Sequence, residues 1–562
     1  MQYAVIVTIL VAFNIFCLSA DYNNTPIDKT IASENESSIF AKLDLRILDQ
    51  YLNANVPEEH LHELLDFYTA RNNDLVWSNY GVLHKNGIEL LRSIENAWQH
   101  GLSPKFYSVD NIKYEIKNIE KNRLFNPVNI SKLDILLTTT YIDYASDLST
   151  GRLNPGHLKV GWEIFTHKQN LAKYLTQSLL HGKIDESLEN LAPKSTQYQK
   201  LSNALQRLIE QKEAGEWPYP GLMDKLEKND SVPEVIKIKK YLFATGYLHN
   251  SNPNYLTNYL FDDELAVALA NFQAQHGLEQ DSIVGKNTLK QMNLSFDYRL
   301  EQIKINLDRL RWLPDNISTR DIIVNIPDFS LNYFQDQSLK QKMNVVVGTN
   351  KNYTPAIKDT ITSIVFNPQW NVPYSMAVDE IIPELKKDSN YLAKRNFKLV
   401  SGSYFSKSEI DATKINWNDV SASDFPYLIV QKSGSTNSLG LVKFMLPNNQ
   451  NIYLHDTPAD HLFNRWQRNF SHGCVRLEKP FQLAEEILDG QISHEKVKEI
   501  VASKESKTIR LDKPVAVHIV YHTAWVDSQD RLQFRDDIYG YDEMSIPLFN
   551  TPSKWQETTT LQ

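Results

Sequence analysis

The feature that most limits how this chain can fold is a change of period partway along it. Up to about Leu313 the apolar residues recur at helical intervals; from Ile322 they gather in short β-branched runs closed by turn residues. Ile47, Leu52 and Val56, then Leu61, Leu64, Leu65 and Tyr68, share helix faces, and residues 133–145 hold enough apolar positions for a buried helix. Two prolines and two glycines between Gly215 and Gly221 break that pattern. Past the break, Pro233 suits the first turn of a helix carrying Val235, Ile238 and Leu242, with Gly246 as its cap. A second helix is expected from Asp262 to His276, closed by Gly277, and a third from about Lys286 to Met292. Residues 296–320 continue as a helical connection.

The later runs (322–326, 343–348, 361–366, 443–445 and 452–455) predict an antiparallel sandwich or barrel-like sheet, because closely spaced strands leave no room for long crossover helices. One insert, about 375–435, is helical at Ser375–Lys394 and is placed to act as a lid. The expected fold class is multidomain α+β. Its parts are a helical domain at 41–218, a three-helix domain at 219–295, the connection at 296–320, a mainly β domain at 321–510 and a β extension at 511–562.

A net charge of −9 leaves no basic excess to neutralise phosphates, which excludes nucleic acid as a partner. Met1 to Ala20 carries no charged side chain, and its apolar run is shorter than the roughly 20 residues needed to cross a bilayer. This predicts an export signal (residues 1–20) cleaved after Ala20, followed by a flexible leader at 21–40. The alternative is a short uncleaved anchor, which would associate the protein with the inner membrane.

Only two cysteines occur, Cys17 in that N-terminal run and Cys474 within Ser471-His472-Gly473-Cys474-Val475-Arg476-Leu477. A single thiol left in an exported protein has no partner to pair with, and its neighbours favour a reactive one. A cysteine acyl-transfer site needs a thiolate, a base and oxyanion donors. His455, nineteen positions earlier, and His472 are the candidate bases; an imidazolium beside the thiol would lower its pKa. The amides around Gly473 and Cys474 are candidate oxyanion donors. Arg476 suits either motif orientation or a substrate carboxylate, since a guanidinium binds carboxylates bidentately. A zinc site built from His455, Asp456 and His461 has the wrong spacing and leaves Cys474 idle.

Two resemblances sharpen this reading. Phe272-Gln273-x-x-His276-Gly277-Leu278-x-x-Asp281-x-x-Val284-Gly285-x-x-Thr288 resembles the type 1 peptidoglycan-binding domain, with Ser282 where glycine is usual and a slightly altered turn expected there. His455-x15-Ser471-His472-Gly473-Cys474-Val475-Arg476 resembles the L,D-transpeptidase (YkuD-type) signature. Further stretches resemble its YcbB-like subgroup, among them Leu307 to Pro314, Asn367-Pro368-x-Trp370-x-Val372-Pro373, Leu439-Gly440-x-Val442-Lys443-Phe444 and Tyr453 to Pro458. Val430 to Gly434 departs from that subgroup's Arg-Gln-x-Pro-Gly type segment.

The resemblance implies a helical scaffold domain, a peptidoglycan-binding domain and a mainly β L,D-transpeptidase catalytic domain, acting in the periplasm on peptidoglycan stem peptides and glycan, alongside other wall-synthesis enzymes. It implies Cys474 as nucleophile, His455 as proton donor and acceptor, His472 in support and Gly473 at the oxyanion hole. Trp370, Asn371, Tyr453 and Ser471 are expected to bind substrate. The expected reaction is formation of 3→3 cross-links with loss of D-Ala, with acylation by carbapenems and without metal or cofactor. Water as acceptor would give an L,D-carboxypeptidase, and loss of activity a peptidoglycan-binding protein.

Overall fold

The computed structural model describes residues 42–44, 46–48, 58–79, 82–122, 126–158, 169–213, 217–314, 319–403, 406–421 and 425–551. The expected signal and leader lie outside the described residues. Among those described, no helix is long and apolar enough to cross a membrane.

The N-terminal domain is helical, with Glu58–Ala70, Lys85–Glu95, Val109–Asn122, Leu171–His181, α1 (Pro127–Thr150) and α2 (Thr196–Glu213) as its main elements. The run expected to be a buried helix is the middle of α1. Asn126 caps it by accepting the Val128 amide, and Pro127 occupies a first-turn position that has no intrahelical acceptor to lose. Its one buried carboxylate, Asp134, binds the amides of Val76 and Trp77 at 2.8 and 3.0 Å, which satisfies two backbone donors that burial would otherwise strand.

The next unit has its own apolar core around Phe272, Leu242 and Val284. It is built on α3 (Glu234–Ala244), α4 (Asp263–Gln275) and α5 (Lys286–Met292). Ser282 takes the left-handed conformation of the glycine it replaces, with φ of 56°. Its amide reaches Gln273 Oε1 at 2.9 Å and its hydroxyl donates to Ala266 O at 3.0 Å, so two hydrogen bonds offset the strain.

Helix α6 (Phe296–Leu310) leads into the β domain. Its sheet comprises β1 (Arg320–Asn325), β2 (Ser330–Gln335), β3 (Ser338–Gly348), β4 (Lys358–Phe366), β9 (Val442–Met445), β10 (Leu454–His455), β11 (Asn469–Ser471), β12 (Val475–Leu477) and β13 (Lys507–Val520). Neighbours run β11-β3-β12-β10-β9-β4-β13-β1-β2, and β2 pairs back onto β3, closing the sheet into a barrel-like ring. The sheet is mixed and not purely antiparallel: β10–β12, β13–β1 and β11–β3 are parallel pairs. The helices Pro480–Leu488 and His494–Ala502 lie between β12 and β13, while loops and the insert make the other connections, so the scarcity of long helices was a poor guide to strand direction.

Two further expectations are corrected. The insert is not simply helical. A helical run from Tyr374 to Lys387 packs on a separate sheet, β5-β8-β6-β7, of β5 (Trp370–Asn371), β6 (Phe397–Ser403), β7 (Ser406–Ile410) and β8 (Leu428–Gln431). It has its own apolar core, including Ile382, Leu385, Leu399 and Trp417. The departing segment at Val430–Gly434 supplies the end of β8, where Gln431 Oε1 accepts the Ser438 amide at 2.8 Å and shapes the following loop.

The boundary expected at 510/511 falls inside β13, a single strand of 14 residues that pairs with both β4 and β1. After β13 the chain forms a small hairpin of β14 (Ala524–Val526) and β15 (Leu532–Phe534) and then a helix, α7 (Tyr541–Asn550). This C-terminal segment ties the parts together. Asp542 on α7 pairs with Arg309 on α6 at 2.6 Å, and Arg535 holds Asp328 of the barrel while donating to Gln275 O at the end of α4. Scaffold and barrel share one continuous apolar core.

Candidate active site

The geometry follows from strand register. In the parallel β10–β12 pair, Leu454 lies opposite Val475 and His455 opposite Arg476; in the antiparallel β9–β10 pair, Lys443 lies opposite His455 and Phe444 opposite Leu454. Side chains alternate along strands. Leu454, Val475 and Phe444 are all fully buried in the barrel core. Their neighbours Tyr453, His455, Cys474, Arg476 and Lys443 therefore turn to the other face, beneath the insert. All five line one cavity of about 1090 Å³, together with Trp370, Asn371, Ser471 and His472.

His455 is almost wholly buried, at 5% exposure. Its Nδ1 lies 2.5 Å from the carbonyl oxygen of Asp456, which can only accept. That contact places the proton on Nδ1 and leaves Nε2 with a free lone pair, the state a base requires. Burial, reinforced by the Arg476 charge, pushes the ring pKa down to about 3. Asp456 is itself fixed, its two carboxylate oxygens taking the amides of Leu441 and Thr457, each at 2.7 Å. With Asp456 so engaged, the zinc arrangement loses one of its three donors.

Cys474 Sγ lies 3.7 Å from Asn451 O. Burial raises the thiol pKa above its ordinary value, against the opposing pull of Tyr453, Lys443 and Arg476. The expectation of an imidazolium beside a thiolate runs against both shifts: burial lowers the His455 imidazole and raises the thiol of Cys474, which is partly exposed where it lines the cavity. Proton transfer from sulfur to His455 would accompany attack.

Two assigned roles also change. Ser471 Oγ donates to Cys474 O at 2.6 Å and accepts the Gly473 amide at 3.1 Å, so this hydroxyl is engaged in closing the motif turn and is not free for substrate. The same bond occupies the Gly473 N–H, which removes it as an oxyanion donor. No acceptor among the described residues takes the amide of Cys474 itself. Gly473, at φ of 110°, adopts a backbone only glycine tolerates well, and its carbonyl accepts from the fully buried Thr354 Oγ1 at 2.7 Å. Thr354 Oγ1 also takes the Gly348 amide at 2.8 Å, and Tyr539 OH donates to Gly348 O at 2.7 Å, so the C-terminal segment braces the motif from behind.

His472 does not face the thiol as a second base. Its Nε2 pairs at 2.7 Å with Glu380 of the insert, both side chains being about half exposed. Trp370 and Asn371 form β5, at the insert's edge of the cavity.

Sequence reasoning passed over Lys443, whose Nζ lies 3.6 Å from the Tyr453 ring centroid. The signal was present as a lysine between two apolar strand residues, Val442 and Phe444, which alternation turns away from the core. What was missing was the register that sets it beside His455.

Sequence-family comparison matches residues 319–500 to the L,D-transpeptidase catalytic domain, 62–205 to the scaffold domain and 231–292 to a domain provisionally described as peptidoglycan-binding. The chain thus carries matches to all three modules in one order, and its β domain is similar to the L,D-transpeptidase catalytic domain. It is 36% identical over 258 residues to a Haemophilus influenzae protein provisionally named an L,D-transpeptidase, covering 45% of this chain and 50% of that one. It thus spans about half the length of the curated relative it matches. Solved L,D-transpeptidases from Xylanimonas cellulosilytica and Stackebrandtia nassauensis align at 12% identity with TM-scores of 0.17 and 0.20. Each covers 54% of this chain, and 100% and 96% of its own.

Proposed function

We propose that the chain is a peptidoglycan L,D-transpeptidase of the cell envelope, exported to the periplasm. In this reading Cys474 attacks the carbonyl that joins the L-centre of the third stem residue to D-Ala at position four. His455 Nε2 takes the thiol proton and returns it to the departing amine. D-Ala leaves and a thioester remains on Cys474. The side-chain amine of a neighbouring stem's third residue then displaces the sulfur, giving a 3→3 cross-link and restoring the thiol. Water in place of that amine gives an L,D-carboxypeptidase.

The observation that carries this reading is the parallel β10–β12 register, which sets a neutral imidazole with a free lone pair and the chain's one described cysteine on the same face of one cavity. The three-helix domain supports peptidoglycan as partner, since it would hold the enzyme on its polymeric substrate. Residues needed for the proposed chemistry are all side chains or amides of the chain, so the mechanism calls for no metal or cofactor.

One incubation tests it. Mass spectrometry of a disaccharide-tetrapeptide exposed to the full chain should show D-Ala loss and dimers. D-Ala loss without dimers would select the carboxypeptidase, and an unchanged substrate would overturn both in favour of a binding protein.

A further inference from the structure

The cavity around Cys474 is electrically lopsided. Lys394, Arg395, Lys443 and Arg476 line it against a single carboxylate, Glu380, in a chain whose net charge is −9. Glu380 is engaged by His472, and Lys394 by Asp388 at 2.6 Å. Lys443 and Arg476, the two cations closest to the nucleophile in register, have no carboxylate partner among the described residues. A cation taken from water without an anion is costly, and interiors retain one where a ligand completes the pair. Lys443 is held in place by the face of Tyr453, whose own position is fixed beside Cys474 and Trp370.

We propose that Lys443, together with Arg476, binds the free α-carboxylate of the residue that leaves during acylation, and so makes a stem with an ionised terminus the preferred acyl donor. This rests on the transpeptidase reading above. The geometry favours the leaving residue, because its carboxylate lies only one residue beyond the scissile carbonyl. The two cations stand one strand to either side of His455, and all three line the cavity with Cys474. An ammonium and a guanidinium on one carboxylate divide the work: the guanidinium fixes orientation through paired N–H bonds, and the ammonium adds a mobile point charge.

The test compares two donors, a tetrapeptide stem ending in D-Ala and the same stem ending in D-alaninamide, with thioester formation and release of the terminal residue both measured. Wild type should prefer the acid by about 10- to 100-fold in kcat/KM, the range of a hydrogen-bonded charge contact. Lys443→Met keeps the length of the stem over Tyr453 and should collapse that preference toward one, chiefly by raising KM for the acid; Lys443→Arg should restore most of it. A preference that survives Lys443→Met overturns the proposal. So does an equal slowing of both donors with a raised pH midpoint for Cys474 alkylation, which would make Lys443 a stabiliser of the thiolate. A folded wild type that releases neither terminal residue removes the transpeptidase reading itself, a different failure from equal turnover of the two donors.

Discussion

Two regions of this molecule hold cations away from bulk water, one fully and one in part, and treat them in opposite ways. At the seam between scaffold and barrel, Arg309 pairs with Asp542 at 2.6 Å and Arg311 with Asp308 at 3.1 Å, all four side chains essentially inaccessible. Asp308 in turn takes the amides of Arg152 and Leu153 at 2.7 and 2.9 Å, and Arg311 reaches His100 O and Tyr198 OH. In the cavity, Lys443 and Arg476 have aromatic and thiol neighbours but no acid. The seam gives each of its two guanidiniums a carboxylate of the chain and so reads as structure. The cavity is incomplete, and its missing charge describes what enters it.

The sharpest break of this contrast is at the nucleophile. Cys474→Ser keeps the shape of the cavity and should leave unfolding unchanged, while D-Ala release falls by about 10⁴-fold or more, the scale seen when a covalent nucleophile is removed. Retained turnover in that variant would mean that the cavity works without its thiol. The complementary break is Asp542→Ala, which strands Arg309 in the seam. It should cost about 3–5 kcal/mol of stability, seen as a lowered denaturation midpoint of the full chain, because the remaining charge is buried without the carboxylate that neutralises it. A loss below about 1 kcal/mol would show that water reaches Arg309 and that the seam is looser than its burial implies.

A subtler prediction concerns protons. Burial first, and the two unpaired cations second, hold His455 neutral down to about pH 3. Burial raises the Cys474 thiol. A folded-state pKa above the ordinary value means the thiolate appears only as pH rises, so alkylation by a neutral reagent should climb about tenfold per pH unit without a plateau between about pH 5 and 8. A plateau across that range would restore the thiolate–imidazolium pair that the sequence suggested.

The periods of the chain announced its helices well. The helices Asp263–Gln275 and Lys286–Met292 lie where apolar spacing and, for the first, the closing Gly277 put them, because both signals are local. The site was legible as a set of residues, and all of them but Gly473 line one cavity. Their roles were less so. That Ser471 and Gly473 bond each other, that His472 turns to Glu380, and that Lys443 stands beside His455 all depend on strand register and on an insert whose sheet assembles from four separated segments. Such contacts are fixed by tertiary packing, which no window of sequence contains. The 510/511 boundary falls inside one strand for a related reason: β13 runs on through a register shift between Arg510 and Val515, and its pairing with β4 and β1 is tertiary.

The smallest expected effect sits where cavity and insert meet. His472 and Glu380 form the only ionic link described between the motif and the insert's helical run, yet both are about half exposed, and exposed pairs contribute about 0–1 kcal/mol. The insert should instead hold its shape through the apolar core around Ile382, Leu385 and Trp417. Glu380→Gln keeps size and removes charge, so it should leave the denaturation midpoint almost unmoved and change kcat/KM by no more than about fivefold, with a weaker dependence on salt than wild type. A much larger loss of turnover, with hydrogen exchange rising across residues 374–387, would show that this one pair latches the insert over Cys474. The cavity would then have to be counted, like the seam, among the places where the fold spends its charges on holding itself together.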